Sequence, residues 1–435
     1  MNKENVTSFV HSHQHVTALC VICLLTVCAF LPTFWNGFQK EWDDQWMVMN
    51  PLTVLYINWS SVVKIFCTPF NGQWAPFNQM LYTLLYNIFE YNPLPYHAAS
   101  LIMHLVNVCL VYSITRDLLH DCTKIEISRQ QASIVIATAI FAVHPLQVEA
   151  VAWISASKIL MSSTFYLLAT YSFIKYLKQG KYIYYFIALL LFFCSYLSKE
   201  NVMTFPLWTS LLSHMYGRKL FKRNFWLINI PIYLLTLVMS LHLIFYVAGY
   251  NDYIQGDVYP LGMRILLCFY SLFNYLYYWM LPFHLDWMYS YPVGLHESLP
   301  WWLFLYPLLL LVVICMAWER IKGCAAVYML LFFFVHLLFV IHLIVLPRGG
   351  VIADRYMYLP ILGLNSLFAY YMTALPWSVA HRRFSYGMFA AILLLLSVLT
   401  YERTSDWLDS RTLKREIVGQ CAMRQYKMPA FSAYY

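Results

Sequence analysis

Charge is what this 435-residue chain has least of: Lys, Arg, Asp and Glu together make up 11% of it, where a soluble domain carries roughly a quarter. That scarcity excludes a soluble globular domain. With 61% hydrophobic residues and a mean hydropathy of +0.59, it points to a polytopic membrane protein. Three apolar stretches, 182–197, 225–247 and 300–318, contain no charged residue at all. This argues against a transporter or pump, in which ionisable groups line a route near mid-membrane. Cys20 and Cys23 have the C-x-x-C spacing but lie in an apolar helix with no second pair, so the cysteines are read as small hydrophobes, not metal ligands. A repeat at the roughly 34-residue period of helical-hairpin arrays is also missing. Finally, no small-residue cleavage site follows the first apolar stretch, which is expected to stay as an anchor.

What is present is a succession of apolar stretches: 16–34, 97–115, 132–143, 159–177, 182–197, 202–216, 225–247, 263–282, 300–318, 325–346, 356–375 and 385–401. Most approach the roughly 20 residues a helix needs to cross a bilayer. With the N-terminus cytoplasmic, 15 of the 28 Lys and Arg fall in inner segments, 7 in outer loops and 6 after residue 401, as the positive-inside rule favours. Parity then prevents 263–282 from being a single crossing. The expected fold is an all-α bundle of about eleven transmembrane helices with one re-entrant or surface-lying helix pair there, and with the C-terminus outside. The expected organisation is a cytoplasmic tail (1–15), a transmembrane domain (16–401) whose first outer loop is 35–95, and an outer stub (402–435).

Of the 20 Asp and Glu, 15 fall on the outer side, and the polar residues there come in compact groups. Asp43-Asp44, flanked by Trp42 and Trp46 and followed by Asn50-Pro51, is a carboxylate pair beside apolar surface. Like charges so close resist joint ionisation, which makes the pair the natural candidate for a general base. His144-Pro145-Leu146-Gln147-Val148-Glu149 turns the chain back at Pro145; His144 reads as a cap, and Glu149 either orients a neighbour or faces water. Ser198-Lys199-Glu200-Asn201 is a tight turn between stretches, with a helix-end ion pair as the plain alternative. Arg348 and Asp354-Arg355-Tyr356 form the last group. Arg355 stands at the start of a stretch, where it could receive an anionic head group or simply snorkel. Charge gathered at one face favours chemistry on a lipid-borne substrate whose head group reaches that face.

In order along the chain, these groups resemble a known family. Asp43-Asp44 with Asn50-Pro51, Asn92-Pro93 before Tyr96-His97, His104-Leu105-Val106-Asn107, the 144–149 segment, Ser198-Lys199-Glu200 and Asp354-Arg355-Tyr356-Met357-Tyr358-Leu359-Pro360 look like the membrane domain of the transmembrane O-mannosyltransferases that target cadherins. They are equally similar to the bacterial tetratricopeptide-containing relatives of those enzymes, all within the GT-C class of glycosyltransferases. The resemblance covers residues 16 to about 415.

The resemblance implies hexosyl transfer, mannose-like, from a polyprenyl-phosphate donor to a protein Ser or Thr hydroxyl, with inversion. It implies that Asp43 takes the hydroxyl proton while Asp44 positions the acceptor or shares the proton load. Lys199 and Arg355, with Lys158 and Arg348, are the cations available to the leaving phosphate. Asn50, His144, Glu149, Glu200, Asp354 and Tyr356 support them. No metal or other cofactor is implied. The implied partners are membrane lipid, the lipid-phosphate sugar and a protein or peptide acceptor, with no nucleic acid; a bacterial plasma membrane is favoured over the endoplasmic reticulum. The chain departs from the family at Ile154-Ser155-Ala156-Ser157-Lys158, where relatives carry a charged patch and only Lys158 keeps a charge. It also departs after Trp407, where relatives continue into repeats. The expectation is a truncated product or a stand-alone membrane domain that borrows an acceptor-recognition partner. An inactive scaffold and a lipid-linked saccharide transporter are the alternatives.

Overall fold

The computed structural model describes residues 3–70, 73–122, 126–247, 259–295, 297–321, 326–343, 350–374 and 378–423. Its helices run α1 (Lys3–Ala29), α2 (Asp44–Met47), α3 (Trp59–Cys67), α4 (Pro76–Phe89), α5 (Pro93–Cys122), α6 (Ile127–Val143), α7 (Val148–Ala152), α8 (Ser157–Gln179) and α9 (Tyr182–Ser198). They continue as α10 (Phe205–Met215), α11 (Arg223–His242), α12 (Leu261–Met280), α13 (Leu305–Ile321), α14 (Ala326–Leu337), α15 (Ile361–Ala374), α16 (Val379–Ser405) and α17 (Ser410–Met423). The protein is all-α, as the length of its apolar stretches implies; among the described residues the only β pairing is a bridge between Phe70 and Gln73.

Local chemistry sets the ends. Pro76 and Pro93 start α4 and α5, where a missing N–H costs nothing. The Asn58 side chain accepts from the Ser61 amide to cap α3. Gly180, at φ +70°, closes α8 with its amide on the Tyr176 carbonyl, a left-handed position that glycine takes without strain.

Three described helices are long and apolar enough to cross a bilayer alone: 93–121, 223–247 and 381–405. A fourth span results if 129–143 and 145–152, bent by 51° at His144, count as one. Apolar helices at 14–29, 182–198, 301–316 and 326–337 are shorter. The helix pair expected at 263–282 is instead one unbroken helix, α12. No proline interrupts its interior, and Asn274 turns its side-chain amide back onto the Tyr270 carbonyl. The pronounced bend lies at Pro145.

The centre is built from α5, α6, α8 and α15, with α9 along α8 and α14 along α15. Lipid supplies little hydrophobic drive between helices, so close packing and hydrogen bonds hold them together. Gly363 lets α15 lie on α14: a Cβ there would run into the Met329 carbonyl and stand 3.0 Å from the Phe333 nitrogen. Buried polar groups pin the centre. The Tyr358 hydroxyl meets His104 Nδ1 at 2.8 Å and Asn107 Nδ2 at 3.0 Å, and Asn107 also donates to the Leu160 carbonyl. These bonds fix the 354–357 turn, which carries Arg355, over α5.

The segment after 402 is docked. Asn36 Nδ2 donates to the Thr404 carbonyl, Gln39 Nε2 to the Trp407 carbonyl at 2.6 Å, and the Gly37 amide to the Leu408 carbonyl. The Trp407 ring stacks on Trp153 at 5.7 Å and meets Trp287 edge-on at 5.0 Å. Leu413 and Ile417 of α17 are buried. The last described part of the chain therefore closes over the 36–39 segment.

Candidate functional site

Asp43 and Asp44 are neighbours with different environments. Asp44, the first residue of α2, is fully buried and spends its oxygens on the protein. Oδ2 accepts from the Gln39 amide at 2.8 Å, and Oδ1 accepts from the Ser155 amide at 3.0 Å and from the Ser155 hydroxyl. Burial pushes its carboxyl up to about 6, opposed by the bonds from Ser155 and Gln39. Asp43, half-buried, forms no side-chain capping bond on α2. Burial raises its carboxyl too, against the pull of Lys158 and Arg355, while Glu149 adds a further push upward. Lys158 and Arg355 thus act on Asp43, while Asp44 ties the 39–44 segment to the 153–157 turn.

Arg355 is held from three sides. Its guanidinium Nη1 pairs with Glu149 Oε1, and its amide donates to Glu149 Oε2 at 2.7 Å. The guanidinium lies 5.5 Å from the Trp153 ring centre and 5.0 Å from that of Tyr356. Glu149, 4% exposed on α7, is therefore an orienting residue and does not face water.

Lys158 begins α8 with its ammonium donating to Gln73 Oε1. Burial drives its pKa down to about 7, Lys199 adds repulsion, and Glu200 and Asp43 pull the other way. Lys199 is buried and stands 4.0 Å from Glu200 Oε1. Burial would raise Glu200, but Lys199 and the Glu200 amide outweigh it and hold the carboxyl below its ordinary range. One group of alternating charge results, from Asp43 through Arg355 and Glu149 to Lys158, Lys199 and Glu200. Beside it lies a narrow cleft whose lining includes Met47, Leu52, Gln73, Asn78, Tyr82 and Lys158.

Of the remaining expected residues, Asn50, His144 and Asp354 are placed apart from this group. Asn50 shapes the 47–53 turn, its Oδ1 accepting from the Leu52 and Thr53 amides and its Nδ2 donating to the Met47 carbonyl and Gln79 Oε1. His144 caps the bend, accepting from the Leu146 amide on Nδ1 and reaching the Trp279 carbonyl with Nε2. Asp354 turns away from Arg355 and pairs with Arg403 while accepting from the Tyr289 hydroxyl at 2.7 Å. Burial drives the Asp354 carboxyl upward against the pull of Arg403. Tyr356 lies under Arg355 as above. Arg348 lies outside the described residues.

Sequence reasoning missed several partners. Ser155, read as part of a segment that had lost its charges, holds Asp44 through its amide and hydroxyl. Gln73 holds Lys158, Trp153 backs Arg355, and Arg403 with Tyr289 fixes Asp354. Arg403 alone left a signal, an arginine at the end of the apolar run 385–401. Among the described residues no three or more His, Cys, Asp or Glu side chains are gathered to hold a metal ion.

Comparison with known proteins places this geometry in a family context. The chain is 26% identical over 432 residues, 94% of its length, to a protein O-mannosyl-transferase of Caenorhabditis elegans, and covers 58% of that protein. It is also 26% identical over 201 residues, 44% of its length, to a protein O-mannosyl-transferase of Drosophila melanogaster, covering 22% of it. The chain is similar to the protein O-mannosyl-transferases. It spans 58% or less of the length of either relative. No family model matches it. Among solved structures, the Archaeoglobus fulgidus oligosaccharyltransferase tethered with an acceptor peptide aligns at 12% identity and a TM-score of 0.49, over 92% of this chain and 56% of that one. ArnT from Cupriavidus metallidurans, bound to undecaprenyl phosphate, aligns at 12% identity and a TM-score of 0.44, over 94% of this chain and 78% of that one.

Proposed function

We propose that this chain is the membrane-embedded catalytic region of an inverting GT-C-type glycosyltransferase. It moves a mannose-like hexose from a polyprenyl phosphate to a protein Ser or Thr hydroxyl on the non-cytoplasmic face. The observation that carries this reading is the placement of Asp43, which has no capping bond of its own and faces Arg355 and Lys158 across one group of charges. The names of the two curated relatives agree with it.

In the proposed step Asp43 accepts the proton of the acceptor hydroxyl as its oxygen attacks the anomeric carbon. The new C–O bond forms on one face while the bond from that carbon to the phosphate oxygen breaks on the other, which inverts the centre. The polyprenyl phosphate leaves with the bonding electrons, and its charge is met by Arg355, Lys158 and Lys199. Asp44 takes no proton in this scheme. It positions Asp43 by fastening the first outer loop to Ser155. No metal or other cofactor is assigned. The deciding experiment is transfer from defined polyprenyl-phosphate sugars to hydroxyl-bearing peptides by purified protein. Asp43→Asn should reduce the rate at least about a hundredfold, and full transfer by that variant would defeat the reading.

A further inference from the structure

Three half-buried rings, Trp74, His242 and Tyr246, gather over the buried Tyr196, close along the chain to the turns that carry the cations. The Trp74 ring lies 4.5 Å from His242 and 5.6 Å from Tyr196, and His242 lies 5.0 Å from Tyr246. The end of α11 supplies two of these rings. Tyr246 follows His242 by four residues and so shares its side of the helix, which ends there in a π-helical turn, Leu243–Val247. Such turns lengthen a helix by one residue at some cost in backbone bonding, and they occur often at functional sites.

The polar atoms of this shelf are already engaged. Trp74 Nε1 donates to the Phe66 carbonyl at 2.9 Å and the Tyr246 hydroxyl to the Cys67 carbonyl. The Tyr196 hydroxyl donates to the Met239 carbonyl and lies 2.8 Å from His242 Nδ1. What the shelf offers a ligand is ring face, which suits an apolar chain and not the hydroxyls of a sugar.

Its two borders say what kind of apolar chain. On one side Trp74 follows Gln73, which bonds Lys158, and Tyr196 precedes Lys199 by one helical turn. On the other side α9 and α11, tied together by the Tyr185 and Tyr196 hydroxyls, expose Leu190, Phe193, Val238, Leu241 and Phe245. A ligand lying across the shelf has an anion at one end and a long apolar chain at the other.

We infer that Trp74, His242 and Tyr246, backed by the buried Tyr196, receive the first isoprene units of a prenyl phosphate whose phosphate rests on Lys158 and Lys199. The inference rests on the donor class proposed above and adds the residues that hold its lipid. With the phosphate on the lysines and the prenyl chain led away over the shelf, the sugar is left on the Asp43 side.

The test compares two soluble probes that share a phosphate. Farnesyl phosphate carries the prenyl chain, and mannose 1-phosphate carries the sugar without it. Trp74→Ala and Tyr246→Ala should weaken farnesyl phosphate binding to the full chain in detergent about tenfold and leave mannose 1-phosphate binding within about twofold. Trp74→Phe, which keeps a ring, should restore most of the farnesyl phosphate affinity and so separate recognition from misfolding. Lys199→Met should weaken both probes. Equal loss of both probes in the Trp74 and Tyr246 variants, or no loss of farnesyl phosphate, would overturn the inference. Failure of the transfer reading has a different signature: prenyl phosphate binds with this shelf dependence, yet Asp43→Asn transfers sugar as well as the unaltered chain.

Discussion

Glu149 and Arg355, separated by 206 residues, are joined at two points: one carboxylate oxygen takes the Arg355 backbone amide and the other takes its guanidinium. The first bond fixes the turn and the second aims the side chain, so one carboxylate determines both where Arg355 is and where it points. Trp153 and Tyr356 hold the planar group in a defined orientation. Lysine cannot reproduce this planar, stacked arrangement.

Arg355→Lys should therefore fold yet transfer sugar roughly a hundredfold more slowly, because charge is kept and direction is lost. Glu149→Gln takes the paired carboxylate from a half-buried guanidinium and should cost about 1–3 kcal/mol of stability. Thermal unfolding of both variants alongside their transfer rates separates the two effects.

Asp44→Asn should act on stability and position before chemistry. Its carboxylate accepts from three donors, and an amide nitrogen must confront one of them, at a cost of about 1–3 kcal/mol. Ser155→Ala removes one of those bonds and should cost about 1 kcal/mol. Asp43→Asn should leave the melting temperature nearly unchanged and abolish transfer. A reversed pattern, with Asp44→Asn stable and dead and Asp43→Asn active, would exchange the roles.

The donor site should be pH-sensitive near neutrality. Lys158, lowered by burial to about 7, is charged below that pH and neutral above it. Capture of an anionic phosphate should weaken as pH rises through 7, while acidification protonates Asp43, whose carboxyl is raised, and stops the proton transfer. The quotient kcat/KM for the donor should follow a bell, and Lys158→Arg should move its alkaline limb upward. An unmoved alkaline limb in that variant would remove Lys158 from donor capture.

Gly363→Ala tests the packing of α15 on α14. The added methyl meets the Met329 carbonyl, which belongs to a helix and cannot swing aside, so the helices must part. A loss of about 1–3 kcal/mol is expected, visible as a lower melting temperature. Because α15 directly follows the 354–357 turn, donor affinity should fall with it.

Much of this was legible in the chain itself. Scarce charge and long apolar runs gave an all-α membrane protein, and the order of Asp43-Asp44, His144 to Glu149, Lys199-Glu200 and Arg355 gave the resemblance. Grouping those residues at one face was also accessible, since each follows or precedes an apolar stretch. The single helix at 261–280 was not. Loop charges report topology through a count, and one misplaced span shifts every later parity. The partners of the site residues escaped as well, because Ser155, Gln73 and Trp153 are ordinary residues whose value lies only in what they touch.

The sequence alone determined the class and the two adjacent carboxylates. Which carboxylate faces the cations was decided only by the tertiary structure. Asp43 and Asp44 are chemically alike and lie on one turn, so nothing local distinguishes them. The difference is made by the Gln39 amide five residues before Asp44 and by the Ser155 amide and hydroxyl 111 residues after it, which fill the oxygens of Asp44 and leave Asp43 turned toward Lys158 and Arg355.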